Sequence, residues 1–149
     1  METKHVREKI ITAGIALELK ERGFDWKIES FYKYIPSPQE EPIYTLKYHN
    51  FALYSNEDWE RVAKKSQIVL PNVSAPSYDM TVDWLLNKGY YVKAVFLKKD
   101  RWRYEIEDVK SGEITKGKSS SEATSRYLAL QRGIEFTLEN LLKKKTKKK

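Results

Sequence analysis

Two stretches of alternating residues, YYVKAVFL (90–97) and WRYEIEDV (102–109), are separated only by KKDR. Each repeats with a period of two, the mark of a strand with one buried face, and so short a link joins such strands as an antiparallel hairpin. KSGE then turns the chain toward a shorter strand around Ile114, which makes a three-stranded meander. One face of that meander has to be covered. The cover follows at once: Ala123, Tyr127, Leu130, Ile134, Leu138 and Leu141 recur at spacings of four, three, four, four and three, the stripe of a long amphipathic helix. Ser119 stands three residues before Glu122, the spacing of a capping box, which predicts that this helix begins there.

Upstream, Val6, Ile10, Ala13 and Leu17 share a helical face and Gly23 offers a stop, so a first helix is predicted over residues 4–22. DWKIESFYKYI places Trp26, Ile28, Ser30, Tyr32 and Tyr34 on one face of a strand and Phe31, Lys33 and Ile35 on the other. Prolines in SPQEEP break it, and IYTLKY returns as its partner in a long-looped hairpin. SNEDWERVAKKSQ reads as a short helix with Trp59, Val62 and Ala63 inward, and LPNVSAP reads as a loop. Ser77 caps a helix over 77–88 that groups Tyr78, Val82 and Leu85, with Trp84 to one side and Gly89 closing it. The fold class expected is α+β: an antiparallel sheet of about five strands, in one or two sections, ending in the meander and covered by helices, the last of them long.

Charge narrows the partners. Of 28 lysines and arginines, six lie in the last seven residues, which leaves 22 against 21 acids in the body. A nearly neutral body does not supply the broad basic groove that several phosphates require. One domain over 1–142 is expected, followed by a disordered lysine-rich tail over 143–149 that cannot bury apolar area. The absence of cysteine excludes disulfides and thiolate chemistry. No apolar run approaches the roughly 20 residues of a membrane span, and METKHVREKIITAG lacks an unbroken apolar stretch, so a soluble cytoplasmic chain without a membrane span is expected.

From residue 77 onward, the order helix, three strands, helix is also that of a double-stranded-RNA-binding domain. Such domains carry a histidine between their first two strands and a lysine cluster opening the last helix. Here those positions read KKDR and SSSEATSRY. Taken together, GFDW, SAPSYDMTVDWLLNKGYYV, WRYEI and SSSEATSRYLALQRGIEFTLENLL resemble a family of small uncharacterised proteins of gut Bacteroidetes and their phages. The similarity runs from about Ile11 to Leu142. It implies a phage or prophage accessory protein, and it carries over no activity and no site residues.

No catalytic set emerges. His5 and His49 are far apart and there is no metal-ligand spacing; Asp79 and Asp83 read as the wet side of a helix, and Ser77 and Ser119 to Ser121 as caps. No cofactor and no metal are expected, and the chain is read as a non-enzymatic module for an unknown host or phage protein. Tyr32, Tyr34, Tyr44 and Tyr48 form one candidate aromatic patch for that partner. The alternative is non-specific association with nucleic acid through the hairpin tip Lys98, Lys99, Arg101, Trp102 and Arg103 and the tail lysines Lys143, Lys144, Lys145, Lys147, Lys148 and Lys149. Against that, Trp102 alternates inward with Tyr104 and Ile106, and the charges protect a hairpin end.

Overall fold

The computed structural model describes residues 9–35, 43–49 and 52–143. Within them the elements are α1 (Ala13–Glu21), β1 (Ser30–Ile35), β2 (Ile43–Tyr48), α2 (Asn56–Lys65), β3 (Val73–Ser74), α3 (Tyr78–Asn87), β4 (Tyr90–Lys98), β5 (Arg101–Asp108), β6 (Ile114–Lys116) and α4 (Arg126–Phe136). The strands form two three-stranded antiparallel sheets, ordered β2-β1-β3 and β4-β5-β6. The α+β class and the C-terminal meander are therefore as expected. The sixth strand is β3, two residues inside LPNVSAP, too short to show a period and made a strand only by its pairing with Phe31 and Tyr32.

The first helix starts later than its spacing predicts. Residues 4–8 lie outside the described set, and at 10–11 the chain is extended rather than helical. Ile10 bridges Ser77, and the Ile11 N–H donates to the Pro76 carbonyl at 3.1 Å. Thr12 then caps α1 by accepting from the Ile15 N–H at 3.3 Å. The buried face is consequently Ile15, Ala16 and Leu19 rather than the one containing Ala13 and Leu17. Gly23 ends the helix as expected, at φ 90, with Phe24 donating back to Leu19 across the terminus and both side chains buried.

Asp58 and Ser55 form a reciprocal capping box at the start of α2. The backbone N–H of Ser55 on the Asp58 carboxylate is the largest influence holding that carboxyl below its ordinary value. Trp59 and Ala63 face inward, Trp59 against Phe31 with ring centres 4.6 Å apart, while Val62 is exposed. The helix ends with Ile68 donating to the Ala63 carbonyl around Gln67, whose φ is 57. That conformation is strained for a residue with a Cβ. Gln67→Gly is expected to raise stability by about 0.5–1 kcal/mol in urea denaturation; an unchanged or lower midpoint would show that the Gln67 side chain stabilises the turn.

One apolar core joins the two sheets. Trp84, 1% exposed, sits at its centre rather than to one side of α3, against Phe24 at 5.5 Å, and Thr81 and Leu85 complete the buried face where Val82 is only half-buried. Both α3 and α4 pack against β4, and α4 also lies on β5, with Leu130, Ile134 and Leu138 buried. Gly133 brings α4 close to the sheet: a Cβ there would stand 2.8 Å from Val92 Cγ1 and 2.9 Å from Tyr104 Cβ.

The last helix does not begin at Ser119. Ser119–Ser121 make a single 3-10 turn without a side-chain cap, and Ala123 is instead paired to Trp102 by reciprocal hydrogen bonds of 2.8 and 2.9 Å. A residue bridged to a strand edge cannot also turn into a helix, so α4 starts after Ser125, whose hydroxyl accepts from the Leu128 N–H at 3.2 Å. The Arg132 guanidinium holds the Ser121 and Glu122 carbonyls from within α4. A wide π-turn, Thr137–Leu141, closes the helix. At its far end the buried Arg22 donates through Nε to the Leu142 carbonyl at 3.2 Å and pairs with Glu18.

Candidate partner-binding face

The register of β1 and β2 decides what this hairpin presents. Ser30 faces Tyr48, Tyr32 faces Leu46 and Tyr34 faces Tyr44, so all six share one face. Tyr34 and Tyr44 meet at 5.6 Å between ring centres, and the Tyr32 hydroxyl donates to the Ile11 carbonyl at 2.7 Å, anchoring the inner end of the row to the core. Burial, and after it the neighbouring Tyr48, push the Tyr32 phenol above its ordinary pKa. The four candidate tyrosines are thus brought together and are half-buried. Toward the outer end the hairpin leaves the core behind: Ile35 and Ile43, paired with each other, are both exposed.

The same register shows an edge left unpaired among the described residues. The His49 N–H donates to the Glu29 carbonyl at 2.8 Å, so the residues in phase with it, Lys47, Thr45 and Ile43, exchange their hydrogen bonds with β1. Tyr44 and Leu46 therefore turn their backbone N–H and carbonyl groups to the other side of β2, where no strand pairs among the described residues. On the opposite edge of this sheet the two-residue β3 is capped: the Asn56 side chain accepts from the Ser74 N–H at 2.8 Å and donates to the Phe24 carbonyl at 3.1 Å.

The tyrosine row leads into a cleft of about 450 Å³ whose walls include Ile10, Ile28, Leu53, Pro76, Met80 and Tyr48. Two single bridges build it, Ile10 to Ser77 and Ile28 to Tyr54. Lys27 and Glu29 lie at the cleft, and Lys27 is 3.7 Å from the Asp58 carboxylate. The other face of the hairpin carries Lys33 and Lys47 and no acid among the described positions of β1 and β2. Neither lysine forms an ion pair among the described residues.

The hairpin tip of the second sheet is arranged differently. Lys98, Lys99 and Arg101 are exposed, and Asp100 makes the turn at φ 60. The Arg101 guanidinium is held by the Glu122 carboxylate, Nε at 2.6 Å, and Arg103 lies 3.2 Å from Glu105. Trp102 is half-buried on the inner face with Tyr104 and Ile106, edge-on to Phe96 at 5.2 Å. The structure thus places two of the four tip cations in ion pairs and the indole in packing. Lys143 is exposed; Lys144, Lys145, Lys147, Lys148 and Lys149 lie outside the described residues, as does His5. His49 accepts from the Ala52 N–H at 3.1 Å. Asp79 and Asp83 are exposed on α3, Asp79 3.6 Å from Arg126.

Among the described residues no three histidines or carboxylates converge as a metal site, and no helix is long and apolar enough to cross a membrane. Alternation alone shows the tyrosine row in the sequence. The cleft could not be seen there, because its walls come from residues 10 to 80 and are assembled by isolated bridges that leave no periodic trace. No family model, curated protein or solved structure matches this chain.

Proposed function

We propose that this chain is a non-enzymatic accessory protein of the phage or prophage kind, acting in the cytoplasm, and that it binds a protein partner by accepting an extended segment along the edge of β2. The observation that carries this reading is the coincidence of three features on one hairpin: outward backbone groups at Tyr44 and Leu46, a row of tyrosines on the same residues' face, and an apolar cleft at its inner end. An added strand would gain main-chain hydrogen bonds from the edge and side-chain selectivity from the row and the cleft. The sequence resemblance supplies the phage setting.

The test is selection of extended peptides from a random library on the full chain. Enriched peptides are expected to lose at least about tenfold in affinity, about 1.4 kcal/mol, with Tyr44→Pro. That substitution removes a donor facing away from β1, so the hairpin ladder is kept. Failure to enrich any peptide, or enrichment indifferent to Tyr44→Pro, would sink strand capture.

A second reading, association with nucleic acid, is favoured by one observation: Lys98 and Lys99 are exposed at the tip and form no ion pair among the described residues. Labelled single-stranded and duplex DNA and RNA, measured at low and raised salt, separate the two. Binding that weakens as salt rises and disappears with Lys98→Glu/Lys99→Glu would move the function to the tip.

A further inference from the structure

We infer that the segment taken up by β2 alternates apolar with acidic residues. This rests on the strand capture proposed above and gives its chemistry. A strand beside β2 continues the pleat, so its residues divide between the same two faces. On one face its neighbours are Tyr44, Leu46 and Tyr48, all uncharged, leading to the cleft lined by Ile10, Ile28, Leu53, Pro76 and Met80. Residues placed there lose water against rings and aliphatic walls, so they are apolar, and the cleft has room for one large side chain.

On the other face the neighbours are Ile43, Thr45 and Lys47, with Lys33 one strand further in, opposite Thr45. Lys47 is exposed, as is Lys33, and neither has a carboxylate partner among the described residues. Directly opposed like charges destabilise a cross-strand pair and opposite charges support it, so the incoming residues beside Lys47 are acidic. A lysine on an open edge also deters pairing with strands that are themselves basic. The edge is thereby closed to general aggregation and open to one charge pattern. The six residues of β2 match a partner segment of ordinary strand length.

Three labelled peptides of about seven residues, an ordinary strand length, test this on the full chain by fluorescence anisotropy. One alternates Glu with Val around a central Phe, one has Lys in place of Glu, and one has the composition of the first with its apolar residues grouped. The acidic alternating peptide is expected to bind at least about tenfold tighter than the basic one, and the grouped peptide not measurably. Lys47→Glu should reverse that order, whereas Lys98→Glu/Lys99→Glu should leave it intact; the second variant controls for attraction to the chain's overall positive charge. Equal affinities for the two alternating peptides, or an acidic preference that survives Lys47→Glu, would overturn the acidic pattern, while loss of binding in Tyr44→Pro would show that strand capture itself still holds. Binding of neither alternating peptide, or self-association of the chain through this edge in its place, would overturn both.

Discussion

Gly133→Val is expected to destabilise the fold by more than about 3 kcal/mol, a large fraction of the roughly 5–15 kcal/mol that holds such a domain together. The reason is the distance at which α4 crosses the meander. Even the first atom of a side chain at residue 133 would lie 2.8 Å from Val92 Cγ1 and 2.9 Å from Tyr104 Cβ, well inside contact distance. Neither neighbour has room to yield, because Val92 is a stiff β-branched residue, 1% exposed, and the Tyr104 Cβ is fixed to its strand. Gly133→Ala is the sharper form of the test. Helix propensity favours alanine by about 1 kcal/mol, and overpacking opposes it by about 1–3 kcal/mol, so a net loss is expected. A gain in stability from alanine, measured by urea denaturation, would show that α4 rides higher on the sheet than this packing requires.

Asn56→Ala is expected to cost about 2–4 kcal/mol, although the residue opens a surface helix. Its amide is 6% exposed and satisfies two backbone groups from separate parts of the chain, the Ser74 N–H and the Phe24 carbonyl. Truncation leaves a buried donor and a buried acceptor without partners, and each such group costs about 1–3 kcal/mol. Asn56→Asp discriminates further. Its carboxylate still accepts from Ser74 but meets the Phe24 carbonyl with like charge, while its protonated form can donate to that carbonyl. The folded state therefore raises the carboxyl pKa of the variant. Its stability relative to the parent is greatest below the ordinary value of about 3.9 and is lost as pH rises through the raised one. Stability of the variant that holds constant relative to the parent across this window would rule out the hydrogen bond to Phe24.

Local pattern and long-range pairing divide this fold between them. The alternation of YYVKAVFL and WRYEIEDV marks the two antiparallel strands of the meander, because a pleat with one buried face writes itself into the sequence, whereas their register, Phe96 opposite Trp102 with an irregularity before Lys98, does not. The stripe of the last helix was legible for the same reason. The start of that helix was not: Ser119 and Glu122 have the right spacing for a cap, but Ala123 is taken by the edge of β5 at Trp102, a partner 21 residues away that no local pattern announces. Ile10 and Ile11 were lost to the first helix in the same manner, through contacts with Ser77 and Pro76. The candidate face divides likewise, with the tyrosine row written in a period of two and the cleft and open edge set by tertiary pairing.

The hydrogen bond from Arg22 to the Leu142 carbonyl spans 120 positions of the chain, and Leu138 and Ile134 belong to the same core as Leu19 and Phe24. During synthesis, at roughly 5–20 residues per second, the first helix emerges many seconds before the groups that will cover it. Its apolar face must wait for the final helix to leave the ribosome. A nascent chain stalled before Ile134 and Leu138 have emerged is thus expected to be a client for chaperones, because Leu19 and Phe24 lack their cover until then.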